Sequence, residues 1–135
     1  MDVMLFGTSR LLYLCAERIR QFYGQNKRIV ILDTDFSRAN SKYATLFPVF
    51  TGARGELMDR LIRVDKATMV LSINNRYIIP RRVIDNPNLT LVNLHHALLP
   101  RHPGRNAEAW TIFEGDEYGG ITWHYIDAGI DTGRI

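Results

Sequence analysis

The chain has 135 residues, enough for one domain with one core. Its hydrophobic share of 46%, mixed charges and formal net charge of +3 are those of a globular protein, and no apolar run is long enough to span a bilayer. A single cysteine, Cys15, excludes an internal disulfide and a cysteine-rich metal site. The N-terminal residues lack the basic flank and cleavage site of a signal peptide, so a reducing cytoplasm is the expected compartment. The basic side chains are mostly arginine and scattered, which suits a phosphorylated small molecule better than nucleic acid.

Taken in chain order, residues 3–6 read as a first strand, followed by the turn Gly7-Thr8-Ser9. Residues 10–23 read as a helix that buries Leu11, Leu12, Leu14, Cys15, Ile19 and Phe22, with Gly24 as its stop. Residues 28–32 form a second strand ending at Asp33-Thr34-Asp35. A helical or irregular stretch at 37–45 then leads to Pro48-Val49-Phe50. A helix follows at 55–64 with Leu57, Leu61 and Ile62 on one stripe, then a strand at 67–73 and a short helix at 80–84. The strand at 89–95 is apolar on both faces, as in a parallel sheet covered on both sides. A helix at 106–114 and a strand at 120–126 complete the pattern. Strands separated by helices predict an α/β fold: a Rossmann-like, open, mostly parallel sheet with helices on both faces. Ligands bind such sheets beyond the carboxyl ends of the strands, where Ser72-Ile73-Asn74-Asn75, Asn93 to His95, and Asp127 are all expected.

The chemistry concentrates in Asn93-Leu94-His95 and in Asp127-Ala128-Gly129-Ile130-Asp131. Two residues apart on a strand, Asn93 and His95 point to one side. An amide there can donate to a developing oxyanion and an imidazole can move a proton near neutral pH, a pair suited to acyl transfer to an amine. Other chemistries fit less well. Gly7-Thr8-Ser9 lacks the spacing of a dinucleotide fingerprint or a P-loop, which weighs against a nucleotide-dependent oxidoreductase. No G-x-S-x-G places a nucleophilic serine, although Ser9 and Ser72 exist. Histidines 95, 96, 102 and 124 match no zinc spacing, and His95 and His96, being adjacent, face opposite ways in a strand, so no metal is expected.

Asn93-Leu94-His95, Leu98-Leu99-Pro100-Arg101, Gly104, Gly120-Ile121-Thr122-Trp123-His124 and Asp127-x-x-x-Asp131-Thr132-Gly133 resemble the folate-dependent formyltransferases. These include the methionyl-tRNA, glycinamide ribonucleotide and amino-sugar nucleotide enzymes. The resemblance implies a formyltransferase catalytic domain over residues 1–135 that uses 10-formyl-tetrahydrofolate as formyl donor. It matches the family's catalytic asparagine, histidine and aspartate to Asn93, His95 and Asp131. Arg76, Tyr77 and Ile78 are carried over as one wall of the folate pocket, with Asp127 and Gly129 on the other. Arg101, His102, Arg105 and Asn106 fall in the loop that faces the amine. The Trp123-His124 pair leans towards a small amine, an amino-sugar nucleotide or a carrier-bound amino acid, with methionyl-tRNA or glycinamide ribonucleotide as alternatives. A hydrolase that releases formate and a non-catalytic folate or nucleotide module are the rival readings. Relatives continue through a further strand and helix, so the domain is expected to be incomplete at its C-terminus. The uncovered strand edge that this leaves favours a homo-oligomer.

Overall fold

The computed structural model describes residues 1–35 and 45–135. Residues 37–44 of the expected helical or irregular stretch at 37–45 lie outside the described residues. Six strands, β1 (Asp2–Gly7), β2 (Ile29–Asp33), β3 (Val49–Thr51), β4 (Thr68–Ile73), β5 (Leu89–His95) and β6 (Thr122–Tyr125), form one sheet in the order β3-β2-β1-β4-β5-β6. Helices α1 (Ser9–Tyr23), α2 (Arg54–Ile62), α3 (Arg81–Ile84) and α4 (Ala107–Phe113) lie between the strands. The pairs up to β5 are parallel, and β6 runs antiparallel to β5. The α/β, mostly parallel architecture is therefore the one that alternating strands and helices predict.

The two-residue repeat of the strands divides the core between two faces. Val3 and Leu5 of β1 with Ile29 and Ile31 of β2 bury against Leu12, Tyr13 and Ala16 of α1. Phe6, Val30 and Leu32 point the other way, against Leu57, Met58 and Leu61 of α2 and Val83 of α3. Removing a leucine such as Leu12 or Leu57 from water contributes about 1.5–3 kcal/mol.

On α1 the buried stripe departs from the expected one. Leu14 is 38% and Phe22 82% exposed, whereas Tyr13 is buried. The Tyr13 hydroxyl donates to Asp33 Oδ2 at 2.5 Å, so an aromatic with a satisfied polar tip takes the inward position. Cys15 packs at the rim of this cluster, and burial pushes its thiol pKa up, the environment of a small core residue. Gly24 ends α1, its N–H bonding to the Arg20 carbonyl. On α2, Glu56 accepts the Ala53 N–H at 2.9 Å, satisfying one of the helix's orphan donors. Among the described residues no helix is long and apolar enough to cross a membrane.

The antiparallel course of β6 corrects one expectation. Tyr125 pairs with Val92, midway along β5, so Asp127 does not follow a carboxyl end that lies level with the others. The chain instead turns after Ile126 and comes back, and the Tyr125 N–H bonds to the Arg134 carbonyl at 2.8 Å. Gly133 makes this return possible, because a Cβ there would strike the Tyr125 carbonyl oxygen. The loop 127–133 is thereby folded across the end of the sheet, which carries Asp131 to β5.

Candidate active site

Leu91, Asn93 and His95 share one face of β5. Leu91 is buried in the α2 and α3 side of the core, and the two polar residues follow it towards the carboxyl end. Beyond that end lies a crevice of about 640 Å³. Asn93, His95, His124 and Asp131 line its floor, residues 76–79 one wall and residues 127–130 another. This volume and its mostly apolar surround suit a small-molecule site. A hollow of about 770 Å³ opens near the amino ends of β1 and β4, beside Asp2, Arg28, Lys66 and Thr68. Exposed charges of both signs line it, and the convergent polar groups at the strand ends are absent from its lining.

Asn93 is oriented from both sides. The buried Ser72 hydroxyl, on neighbouring β4, donates to Asn93 Oδ1 at 2.8 Å. That contact turns the amide nitrogen to His124, whose Nε2 lies 3.2 Å away across the β5–β6 pair. The His124 Nδ1 contacts the Tyr125 carbonyl at 2.9 Å, which makes Nδ1 a donor, while Nε2 lies between the Asn93 amide nitrogen at 3.2 Å and Asp131 Oδ1 at 3.3 Å. The Asn93 amide nitrogen thus faces His124 and the crevice, into which it can donate.

His95 is buried and held at both ring nitrogens. Its Nε2 donates to the His102 carbonyl at 2.7 Å, and its Nδ1 lies 3.4 Å from Asp131 Oδ2. A carbonyl therefore faces one ring nitrogen and a carboxylate the other. Asp131 also accepts the Gly104 N–H at 2.7 Å, and its second oxygen lies 3.3 Å from His124 Nε2. Asp131 sits in the left-handed region, φ +54°. A non-glycine residue keeps that conformation where its surroundings determine it.

The crevice walls are built from loops. Asn75 pins the first, accepting the Tyr77 N–H at 2.8 Å and donating to the Tyr77 carbonyl at 2.7 Å. Arg54 of α2 binds the Ile78 carbonyl at 3.0 Å, and Arg76 lies 4.0 Å from Asp35. Tyr77 packs at the edge of the core, while Ile78 offers its side chain to solvent. On the second wall Asp127 accepts from the Gly129 N–H and the Thr132 hydroxyl. The Thr132 bond is the larger reason that the Asp127 carboxyl is held below its ordinary pKa, with the Gly129 bond next.

Among the residues expected to face the amine, Arg105 lines the crevice. The others are placed elsewhere. Arg101 and His102 turn their side chains to Asp116, because that nearly buried carboxylate accepts from both. Asn106 takes a left-handed conformation, φ +59°, at the start of α4. His96, expected on the opposite side from His95, also lines the crevice, since the strand ends at His95. It contacts Asn74 Oδ1 at 2.6 Å and Glu108 at 3.2 Å. Sequence reading missed His124 and the orienting role of Ser72. The signal for His124 was its parity with Thr122 in a strand, but the strand's direction was not legible.

Residues 36–135 match the formyl transferase family. The chain belongs to that family. A methionyl-tRNA formyltransferase of Lachnospira eligens is 27% identical over 125 residues, covering 83% of this chain and 40% of the relative. A GDP-perosamine N-formyltransferase of Brucella melitensis is 39% identical over 67 residues, covering 50% of this chain and 26% of the relative. The chain thus spans less than half the length of these relatives. Among solved structures, phosphoribosylglycinamide formyltransferase from Bacillus halodurans superposes with a TM-score of 0.76 at 20% identity, over 100% of this chain and 76% of that one. A sugar 3N-formyl transferase solved in the presence of dTDP and 5-N-formyl-THF gives 0.77 at 22% identity, over 98% of this chain and 48% of that one. These likenesses establish the family and its fold.

Proposed function

We propose that the site transfers a formyl group from 10-formyl-tetrahydrofolate to the primary amine of a small substrate, with an amino-sugar nucleotide or a carrier-bound amino acid favoured. The observation that carries this reading is the convergence of Asn93, His95 and Asp131 on the floor of one crevice. Its volume of about 640 Å³ accommodates a pterin beside an incoming amine. Residues 76–79 and 127–130 hold the folate in this reading, and Arg105 stands on the amine side. The donor supplies an electrophilic formyl carbon, to which the amine nitrogen bonds as the folate nitrogen leaves.

The chain's own residues handle charge and protons. An Asn93 N–H meets negative charge on the formyl oxygen; one such donor contributes roughly 2.7–4 kcal/mol to lowering a barrier. His95, between the His102 carbonyl and Asp131, holds a proton at Nδ1 that the leaving nitrogen needs, and the amine gives one up in return. Asp131 keeps the ring in place and balances its charge. Gathering both reactants in one crevice removes the entropy of their encounter.

The test is product analysis by mass spectrometry, with 10-formyl-tetrahydrofolate and a panel of amines: amino-sugar nucleotides, carrier-bound amino acids, glycinamide ribonucleotide and methionyl-tRNA. Formylated amino-sugar nucleotide or carrier-bound product is expected. Formate release without any acceptor makes the chain a hydrolase, and donor binding with no turnover makes it a binding module; either overturns the proposal.

A further inference from the structure

We propose that Asp116, outside the crevice, is a positioning residue that orients the His95 ring by clamping the loop 101–104. This proposal deepens the formyl-transfer reading and rests on it for its activity arm. The loop reaches the catalytic pair twice. The His102 carbonyl accepts the His95 Nε2 proton at 2.7 Å, and the Gly104 N–H donates to Asp131 Oδ2 at 2.7 Å. Both halves of the histidine–carboxylate pair are therefore referenced to one short segment, and any shift of that segment moves them together.

What holds the segment is Asp116. Its side chain is only 6% exposed, and it receives His102 Nε2 at 2.6 Å and an Arg101 guanidinium nitrogen on its other oxygen. The anchor is needed because His102 stands at φ +51° and Gly104 at φ +85°. A histidine in the left-handed region costs about 1–2 kcal/mol against the ordinary helical one, so its surroundings must determine the turn. The Asp116 carboxylate, pinned by two charge-assisted contacts, does so. The His102 hydrogen bond is the chief reason the Asp116 carboxyl lies below its ordinary pKa. Burial opposes the shift and Arg101 adds to it, so Asp116 is an anion at neutral pH. Glu114, 3.9 Å from His102 Nδ1, is the other acid near the clamp. These three side chains, His102, Glu114 and Asp116, are close enough to suggest a metal site, but Arg101 already supplies the cation on Asp116.

The consequence for His95 is specific. With the His102 carbonyl fixed against Nε2, that nitrogen is a committed donor, and Nδ1 is the position left for proton exchange beside Asp131. Without the clamp the ring loses its fixed acceptor at Nε2 and samples several orientations, so Nδ1 is correctly placed beside Asp131 only part of the time.

The experiment combines ring nitrogen NMR of His95 with steady-state kinetics for Asp116→Asn and His102→Gly. Asparagine keeps the shape and loses the charge. Glycine suits φ +51° and loses the side chain that Asp116 holds. Expected are a wild-type His95 with a protonated Nε2, exchange-averaged nitrogen shifts in both variants, and kcat reduced tenfold or more with KM for the formyl donor unchanged. If Asp116→Asn does not fold, His102→Gly carries the same test. Unchanged His95 nitrogen shifts in the folded variants overturn the proposal, whatever the rates do. Altered shifts in a protein that transfers no formyl group uphold the clamp and remove the formyl-transfer reading instead.

Discussion

Ser72 and Asn93 supply the sharpest test of how the oxyanion donor is built. Ser72 is buried at the β4–β5 pair, and its hydroxyl touches Asn93 Oδ1 at 2.8 Å. In the proposed mechanism it acts only by keeping the Asn93 amide from turning over. Asn93→Ala removes the donor, so kcat is expected to fall by about 10²–10³. Ser72→Ala leaves the donor present but unpins it. The lost bond nets about 0.5–1.5 kcal/mol, and the orphaned Oδ1 costs about 1–3 kcal/mol if it stays buried. Turning the amide relieves that cost and points the wrong atom into the crevice. A preference weakened by about 1–2 kcal/mol lowers kcat roughly 5- to 30-fold. The decisive quantity is the coupling. In the Asn93→Ala background Ser72 has no amide to hold, so adding Ser72→Ala is expected to change kcat by less than about twofold. The assay is initial-rate formylation by the four proteins of the double-mutant cycle, with thermal melts to verify folding. Equal effects of Ser72→Ala in both backgrounds refute the orienting argument.

Three further outcomes follow from the same geometry. Asp131→Asn keeps the side chain's size but removes the charge beside His95 and His124; kcat is expected to fall by at least about 10², with the donor's KM nearly unchanged, in steady-state kinetics. Gly133→Ala forces a Cβ against the Tyr125 carbonyl and displaces the returning loop; calorimetry is expected to record about 1–3 kcal/mol of lost stability, and activity falls by more than the folded fraction does. The lowered Asp116 pKa makes a signed prediction for acid. Its contribution to stability is fully present above the unfolded value of about 3.9 and is lost as pH falls through the lower folded value. Melts of wild type between about pH 5 and pH 2 are expected to show an acid loss below about pH 4 that Asp116→Asn lacks.

Much of this arrangement was legible before any coordinates. The strand at 89–95 was readable because an apolar run broken by Asn93 and His95 fits one local pattern, and strand parity then placed both side chains on one face. The helix expected at 10–23 was readable too, but its buried stripe was not. Hydropathy favours Leu14 and Phe22 for the interior, yet the sheet offers Asp33 as a partner, and only Tyr13 can use it. The direction of β6 was illegible for a different reason. Periodicity is the same in parallel and antiparallel strands, so Thr122 to Tyr125 announces a strand without its sense. Likewise, Arg101 and His102 look substrate-facing in a basic loop until Asp116, which is 14 residues beyond His102, is seen to take them. Long-range charge pairing of this kind leaves no local trace.

The antiparallel edge strand is what lets so short a segment complete the site. In the observed register His124 sits directly opposite Asn93, with its Nε2 3.2 Å from the Asn93 amide nitrogen. The chain then leaves β6 level with Val92 and must cross the carboxyl end of β5 as it returns to pair Arg134 with Tyr125. That crossing delivers Asp131 to the two histidines, one on each strand. A parallel β6 sends the chain onward, away from the sheet, and leaves His95 Nδ1 without its carboxylate. The loop is therefore held at both of its ends by β6 and in its middle by the Gly104 N–H. Substitutions at Gly133 and at Asp116 reach the same carboxylate from opposite sides: the first moves Asp131 and leaves the His102–His95 bond, while the second loosens both.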